Sequence, residues 1–235
     1  MTLGWSFMHG GAGRMPAENM ADPLRSTDLN EAELLVREAL QNSIDERQDI
    51  SKPLKVTFKA RKLVSEEKQK FVHDLRFDDF KSRADLFPVA NHWYRKGKIC
   101  LEEMSNAEIP LRILEISDHN ANGLSGRWDI GQSINDRFFN LVLSLAKTKK
   151  QEESTGSPLG SYGFGKMVFA LGSSLRTMIY YSHFPKAERS GDDDRRLMAS
   201  AFLPSYFKED EELEYTGHAY FGSDTDRENN PKKPL

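Results

Sequence analysis

Apolar residues recur at helical spacing through residues 30–46, where Val36, Leu40 and Ile44 fall every fourth position and predict a core stripe. Glu38, Asn42 and Asp45 stand at i, i+4 and i+7 on the opposite side of that helix. A second apolar run over 167–171 predicts a short helix that Gly172 is placed to end. Alternation predicts strands over 54–60, 109–118, 175–181 and 197–203, with Leu111, Ile113, Leu114 and Ile116 as buried members of the second. A further short strand is expected over 98–101. Residues 65–87 are highly charged, with Phe71, Leu75, Phe77 and Phe80 spread among them, and predict helices inserted between strands.

The ends differ from this pattern. Residues 1–26 are mixed, with Trp5, Phe7 and a glycine cluster before Pro16, and predict an arm. Its two aromatic residues would anchor either on a second subunit or on their own. Residues 183–196 predict a charged loop whose Asp192, Asp193 and Asp194 are solvated, because adjacent carboxylates on a loop do not converge on a metal. Beyond Gly222 the chain is polar and reads as a linker or loop without core over 223–235. One domain over 27–222 is the expectation. A length of 235 residues, 38% of them hydrophobic, suffices for one substantial core.

Composition narrows the chemistry. The single cysteine, Cys100, excludes an internal disulfide and a cysteine metal cluster, and on its expected strand it reads as a small core residue. The six histidines show no ligand spacing. No apolar run approaches the roughly 18 residues of a membrane span, and no signal-peptide core opens the chain, so a cytoplasmic protein is expected. A net charge of −3 argues against general nucleic-acid affinity, although a local basic patch could still touch DNA.

Three segments carry candidate chemistry. Gly160-Ser161-Tyr162-Gly163-Phe164-Gly165-Lys166 precedes the helical run at 167, and glycines let main-chain N–H groups close on a phosphate. It formally fits G-x-x-x-x-G-K, but Met167 stands where a P-loop needs Ser or Thr for magnesium, and polar residues rather than a strand precede it. Its order, G-x-x-G-x-G, is also the reverse of a dinucleotide fingerprint, and an ordinary glycine-rich turn fits equally well. In the first helix, Glu38 offers a base for water and Asn42 an oxygen for magnesium beside phosphates. The bland alternative is a polar face turned to solvent. Asp118 ends an expected strand before His119-Asn120-Ala121-Asn122-Gly123, where its carboxylate would either read an amino group or cap the turn.

In this order the three segments resemble the GHKL superfamily of ATPases, which includes heat-shock chaperones, MORC and MutL proteins, type II topoisomerase ATPase domains and histidine kinases. Glu38-Ala39-Leu40-Gln41-Asn42-Ser43-Ile44-Asp45 is similar to the family's N-box. The resemblance implies Glu38 as general base, Asn42 on magnesium, Asp45 close by and Asp118 on the adenine amino group. Asn122 and Gly123 then follow in the aspartate box, with Gly160, Gly163, Phe164, Gly165 and Lys166 around the phosphates. Residues 138–150 are similar to a lid helix and lysine-rich turn, which implies phosphate contacts from Asn140 and Lys147. Asn120 and Asn122 stand where the family has glycines, and Gly123 comes one position late. Asparagine is the next best residue for positive φ. The family's late-strand threonine has one candidate, Thr216.

The implied fold is a two-layer α/β sandwich, the Bergerat fold, with a mixed sheet and helices on one face. The implied ligands are ATP and Mg²⁺, and the implied partners are a second copy in an ATP-dependent homodimer and a downstream effector domain or protein. Slow ATP hydrolysis coupled to conformational switching is the leading expectation. A degenerate interaction module without turnover and a P-loop-like phosphotransferase using Lys166 are the alternatives. Chaperoning, DNA handling and defence all fit such a site.

Overall fold

Five segments that alternate large and small apolar residues build the main sheet: β1 (Leu3–His9), β4 (Thr177–His183), β5 (Arg195–Phe202), β6 (Tyr206–Lys208) and β7 (Leu213–Ser223). The structure is a computed structural model, and it describes residues 3–11, 16–17, 29–87, 92–129, 135–143, 167–184, 194–223 and 234–235. The strand order is β1-β7-β5-β4, with β6 also paired to β7, and every pairing is antiparallel. β7 is buried along nearly its whole length, as befits a central strand covered on both faces. A separate antiparallel ribbon joins β2 (Lys55–Leu63) to β3 (Leu111–His119) in unbroken register from Lys55↔His119 to Leu63↔Leu111.

One sheet face presents Trp5, Phe7, Ala199, Ala201, Ala219 and Phe221. Against it pack α2 (Ser65–Asp74), α3 (Asp78–Lys81), a 3-10 turn at Ala84–Leu86 and α4 (His92–Ser105). The small alanines leave room for rings: Trp5 lies 4.5 Å from Phe80 and 5.5 Å from Phe221, and its indole N–H donates to the Leu75 carbonyl at 2.7 Å. The other face presents Met8, Met178, Met198, Phe202 and Tyr220. It meets α1 (Glu31–Asp45), α5 (Met167–Leu171) and a π-helical turn at Phe139–Leu143.

Lys68 fixes how the ribbon leaves this core. It is 1% exposed, and its ammonium donates to the carbonyls of Glu103, Asn106 and Ile109 at 2.7, 2.5 and 2.6 Å. These carbonyls lie at the end of α4 and in the turn before β3, where those of Glu103 and Asn106 also accept from the N–H groups of Asn106 and Ile109 at 3.2 Å.

An α+β fold with the expected strands near 54–60, 109–118, 175–181 and 197–203, and helices within 65–87, is present. Several details differ. The described pairings are wholly antiparallel rather than mixed, and helices cover both sheet faces rather than one, because α2 to α4 fold back over the Trp5 side. Residues 98–101 lie inside α4, where Cys100 is half-buried against the core. Burial pushes its thiol up to about 11. The expected arm begins with a core strand, and its aromatic anchors serve their own subunit. Leu114 is exposed. At the expected linker's end, Leu235 exchanges backbone hydrogen bonds with Leu197 at 2.8 and 2.9 Å, and Pro234 is buried. Among the described residues no helix is long and apolar enough to cross a membrane.

Candidate functional site

α1 starts from a reciprocal cap. Asn30 accepts from the backbone N–H groups of Ala32 and Glu33 at 3.1 and 3.0 Å, while the Glu33 carboxylate accepts from the Asn30 N–H. Its orientation is the main departure from the sequence pattern. Leu34, Ala39 and Ser43 are the buried positions, whereas Val36, Leu40 and Ile44 are exposed at 42%, 38% and 60%. Close approach to α5, through Leu34 and Leu35 against Met167, Val168 and Ala170, selects small residues further along the same side.

This rotation moves the polar pair inward. At 100° per residue, Glu38 and Asn42 lie between Leu34 and Ala39 on the helix surface, in the middle of the side that faces the protein. The Glu38 side chain is 12% exposed, and its Oε1 accepts from the Arg37 guanidinium at 2.8 and 3.2 Å. Among the described residues the Asn42 amide has no protein hydrogen-bond partner, so its oxygen is free for a ligand. Asp45, at the end of the helix, is exposed.

Asp118 comes to this helix from β3. The buried Ser43 hydroxyl donates to Asp118 Oδ2 at 2.9 Å, which orients the carboxylate. Its Oδ1 has no partner among the described residues. Sequence reading gave Ser43 no role, although it lies one position beyond Asn42 and adjoins the inward face.

The turn after Asp118 is tied at both ends. Asn120 takes φ +68°, as its asparagine identity allows. Its amide accepts from the Asp49 N–H at 3.1 Å and donates to the carbonyls of Asp49 and Lys52 at 2.9 and 3.0 Å, clamping the loop that follows α1. The Asn122 N–H donates to the Glu46 carbonyl at 2.8 Å, and its amide reaches the Glu46 carboxylate at 3.4 Å. Glu46 is in turn paired with Arg137 at 2.8 Å. Gly123 has φ +72°, and a Cβ there would stand 2.7 Å from the Ser182 hydroxyl. That hydroxyl accepts from the Leu124 N–H at 2.8 Å and joins the turn to β4. Glu46, Arg137 and Ser182 were not legible beforehand, because their roles depend on partners distant in sequence.

Ser43 thus joins Asp118 to α1, the helix whose inward side bears Glu38 and Asn42, and Asn122 and Gly123 hold the turn that follows Asp118. Asn140 is half-buried in the π-helical turn, its N–H donating to the Asp136 carbonyl at 2.9 Å. The Thr216 hydroxyl donates to the Met8 carbonyl at 3.2 Å and accepts from the His218 N–H at 3.3 Å, a structural use within the sheet. Lys147, Gly160, Gly163, Phe164, Gly165 and Lys166 lie outside the described residues. Among the described residues no group of three or more His, Cys, Asp or Glu side chains converges on a metal position. Comparison with protein-family models, with curated proteins and with solved structures found no match to this chain.

Proposed function

We propose that the chain is a GHKL-type module with the Bergerat layout that binds ATP with Mg²⁺, hydrolyses it slowly, and uses nucleotide state as a conformational switch or dimerisation clamp. The observation that carries this reading is the inward placement of Glu38 and Asn42 on the helix to which Ser43 ties the Asp118 carboxylate, one oxygen of which is free. A solvated polar face would have turned the first two outward.

In this reading Asp118 Oδ1 accepts from the adenine amino group. Asn42 gives Mg²⁺ one protein oxygen, which suits an ion that keeps several waters and takes the rest of its shell from phosphates. The ion's contribution is charge neutralisation at the phosphates. Glu38 takes a proton from the attacking water as the water oxygen bonds to the γ-phosphorus. The bond to the bridging oxygen breaks, and ADP and phosphate leave. Gly160 to Lys166 directly precede α5, the helix that packs on α1, and by the family resemblance they surround the phosphates.

A second reading, nucleotide binding without turnover, is favoured by the Arg37 guanidinium on Glu38 Oε1, which occupies an oxygen that the attacking water would need. Glu38→Ala separates the two. Turnover should fall by about 10²–10⁴-fold with ATP affinity kept. A wild-type rate no higher than that of Glu38→Ala would establish the second reading.

A further inference from the structure

The β2–β3 ribbon carries a charge unlike that of the rest of the molecule. β2 bears Lys55, Lys59, Arg61 and Lys62, and β3 bears Arg112, in a chain whose net charge is −3. Of the ribbon's two acidic residues, Glu115 is paired with Arg61 at 2.6 Å, and Asp118 lies at the far end from Lys62 and Arg112, bonded to the Ser43 hydroxyl, so cations outnumber carboxylates five to two. Lys55, Lys59, Lys62 and Arg112 are exposed and form no ion pair among the described residues. Lys62 and Arg112 stand directly opposite each other across the two strands, an arrangement of like charges that costs stability unless an anion neutralises it.

The face that bears this cation pair also bears exposed apolar side chains. In the even register Lys62↔Arg112 is followed by Ala60↔Leu114 and Phe58↔Ile116, with Leu114 51% and Phe58 38% exposed. Lys55, Lys59 and Arg61 project from the opposite face of the same strand, and among the described residues β2 has no neighbour but β3. An aromatic ring and aliphatic surface beside unpaired cations match a partner with flat apolar units on a polyanionic backbone. An acidic protein surface would satisfy the cations but does not repeat a flat unit with each charge, as a nucleic-acid strand does.

We infer that the β2–β3 ribbon is a binding surface for single-stranded nucleic acid, with bases against Phe58 and Leu114, phosphates on Lys62 and Arg112 of the same face, and the backbone passing the free edge of β2 to reach Lys55 and Lys59. The locality of the patch reconciles this with an acidic chain: attraction acts within about a Debye length of the ribbon. The inference does not rest on the ATP reading, and its test contains no nucleoside triphosphate.

Fluorescence anisotropy with a labelled oligothymidylate strand, over a range of salt concentrations, tests it. The wild-type chain should bind at low salt, with affinity falling as salt rises. The fourfold variant K55E/K59E/K62E/R112E should weaken binding about tenfold or more, and the neutral variant K55Q/K59Q/K62Q/R112Q should lower the salt slope by about 0.7 for each phosphate no longer neutralised. Phe58→Ala should weaken binding on the order of tenfold. Lys96→Glu, on α4, should leave it unchanged. Both fourfold variants alter exposed side chains, and unchanged circular dichroism would confirm that they fold. Absence of wild-type binding at low salt, equal affinity in the variants, tighter binding of the matching duplex, or displacement of the strand by polyglutamate at equal charge would each overturn the inference.

Discussion

The Trp5 side of the sheet and the α1–β3 junction are built by different means. Around Trp5, Phe77, Phe80 and Phe221 the contacts are rings and methyl groups, and one hydrogen bond, from the indole to Leu75, serves the only polar atom of the Trp5 side chain. At the junction, α1 presents a carboxylate and an amide in the middle of its inward side, and β3 is held through Ser43, Asn120, Asn122 and Gly123. Close packing gives a region that resists change. A region joined by hydrogen bonds, with free acceptors between them, gives up cohesion for groups that can meet a ligand.

The contrast fails first, and by most, if Trp5→Ala is tolerated. Removing the ring leaves a cavity among three aromatic neighbours and an unpaired Leu75 carbonyl. It should cost about 3–5 kcal/mol, a fall in Tm on the order of 10 °C by thermal denaturation. Equal stability would mean that the Trp5 side is not packed as described. Within α1 the contrast is smaller and concerns which side faces inward. Ala39→Leu should cost about 1–3 kcal/mol by overfilling a buried position, whereas Ile44→Gln should change stability by less than about 0.5 kcal/mol. The reverse result in urea unfolding would restore the Val36, Leu40 and Ile44 stripe to the core.

The same two regions explain what could be read beforehand. Strands β4 and β5 and helices α2 and α3 followed from periodicity, because their pattern and their burial agree, whereas β2 and β3 were legible as strands although Phe58 and Leu114 are exposed. The rotation of α1 did not, since Val36, Leu40 and Ile44 are among the most apolar residues of that helix, while its contacts demand the small Ala39 and Ser43. β1 was hidden because Leu3 to His9 pairs with β7, more than 200 residues further on, and a glycine cluster follows it. The segment 98–101 was misread because it is too short to show a helical period, although α4 as a whole does. Glu38, Asn42 and Asp118 were legible as residue types in order along the chain. What holds them together was not: Ser43 donates across 75 positions, and Gly123 needs both a positive φ and clearance from Ser182.

Everything proposed for the junction depends on Asp118, oriented by Ser43, reading a purine amino group next to the Glu38 and Asn42 face. Calorimetric titration of ATP with Mg²⁺ at fixed salt, into the wild-type chain and into Asp118→Ala, addresses that step without intermediaries. Measurable binding to the wild type and at least a tenfold loss in the variant are expected, the cost of an unmade hydrogen bond to a charged group. Equal binding by both chains, which would point instead to Lys166, or no binding by the wild type, would contradict it.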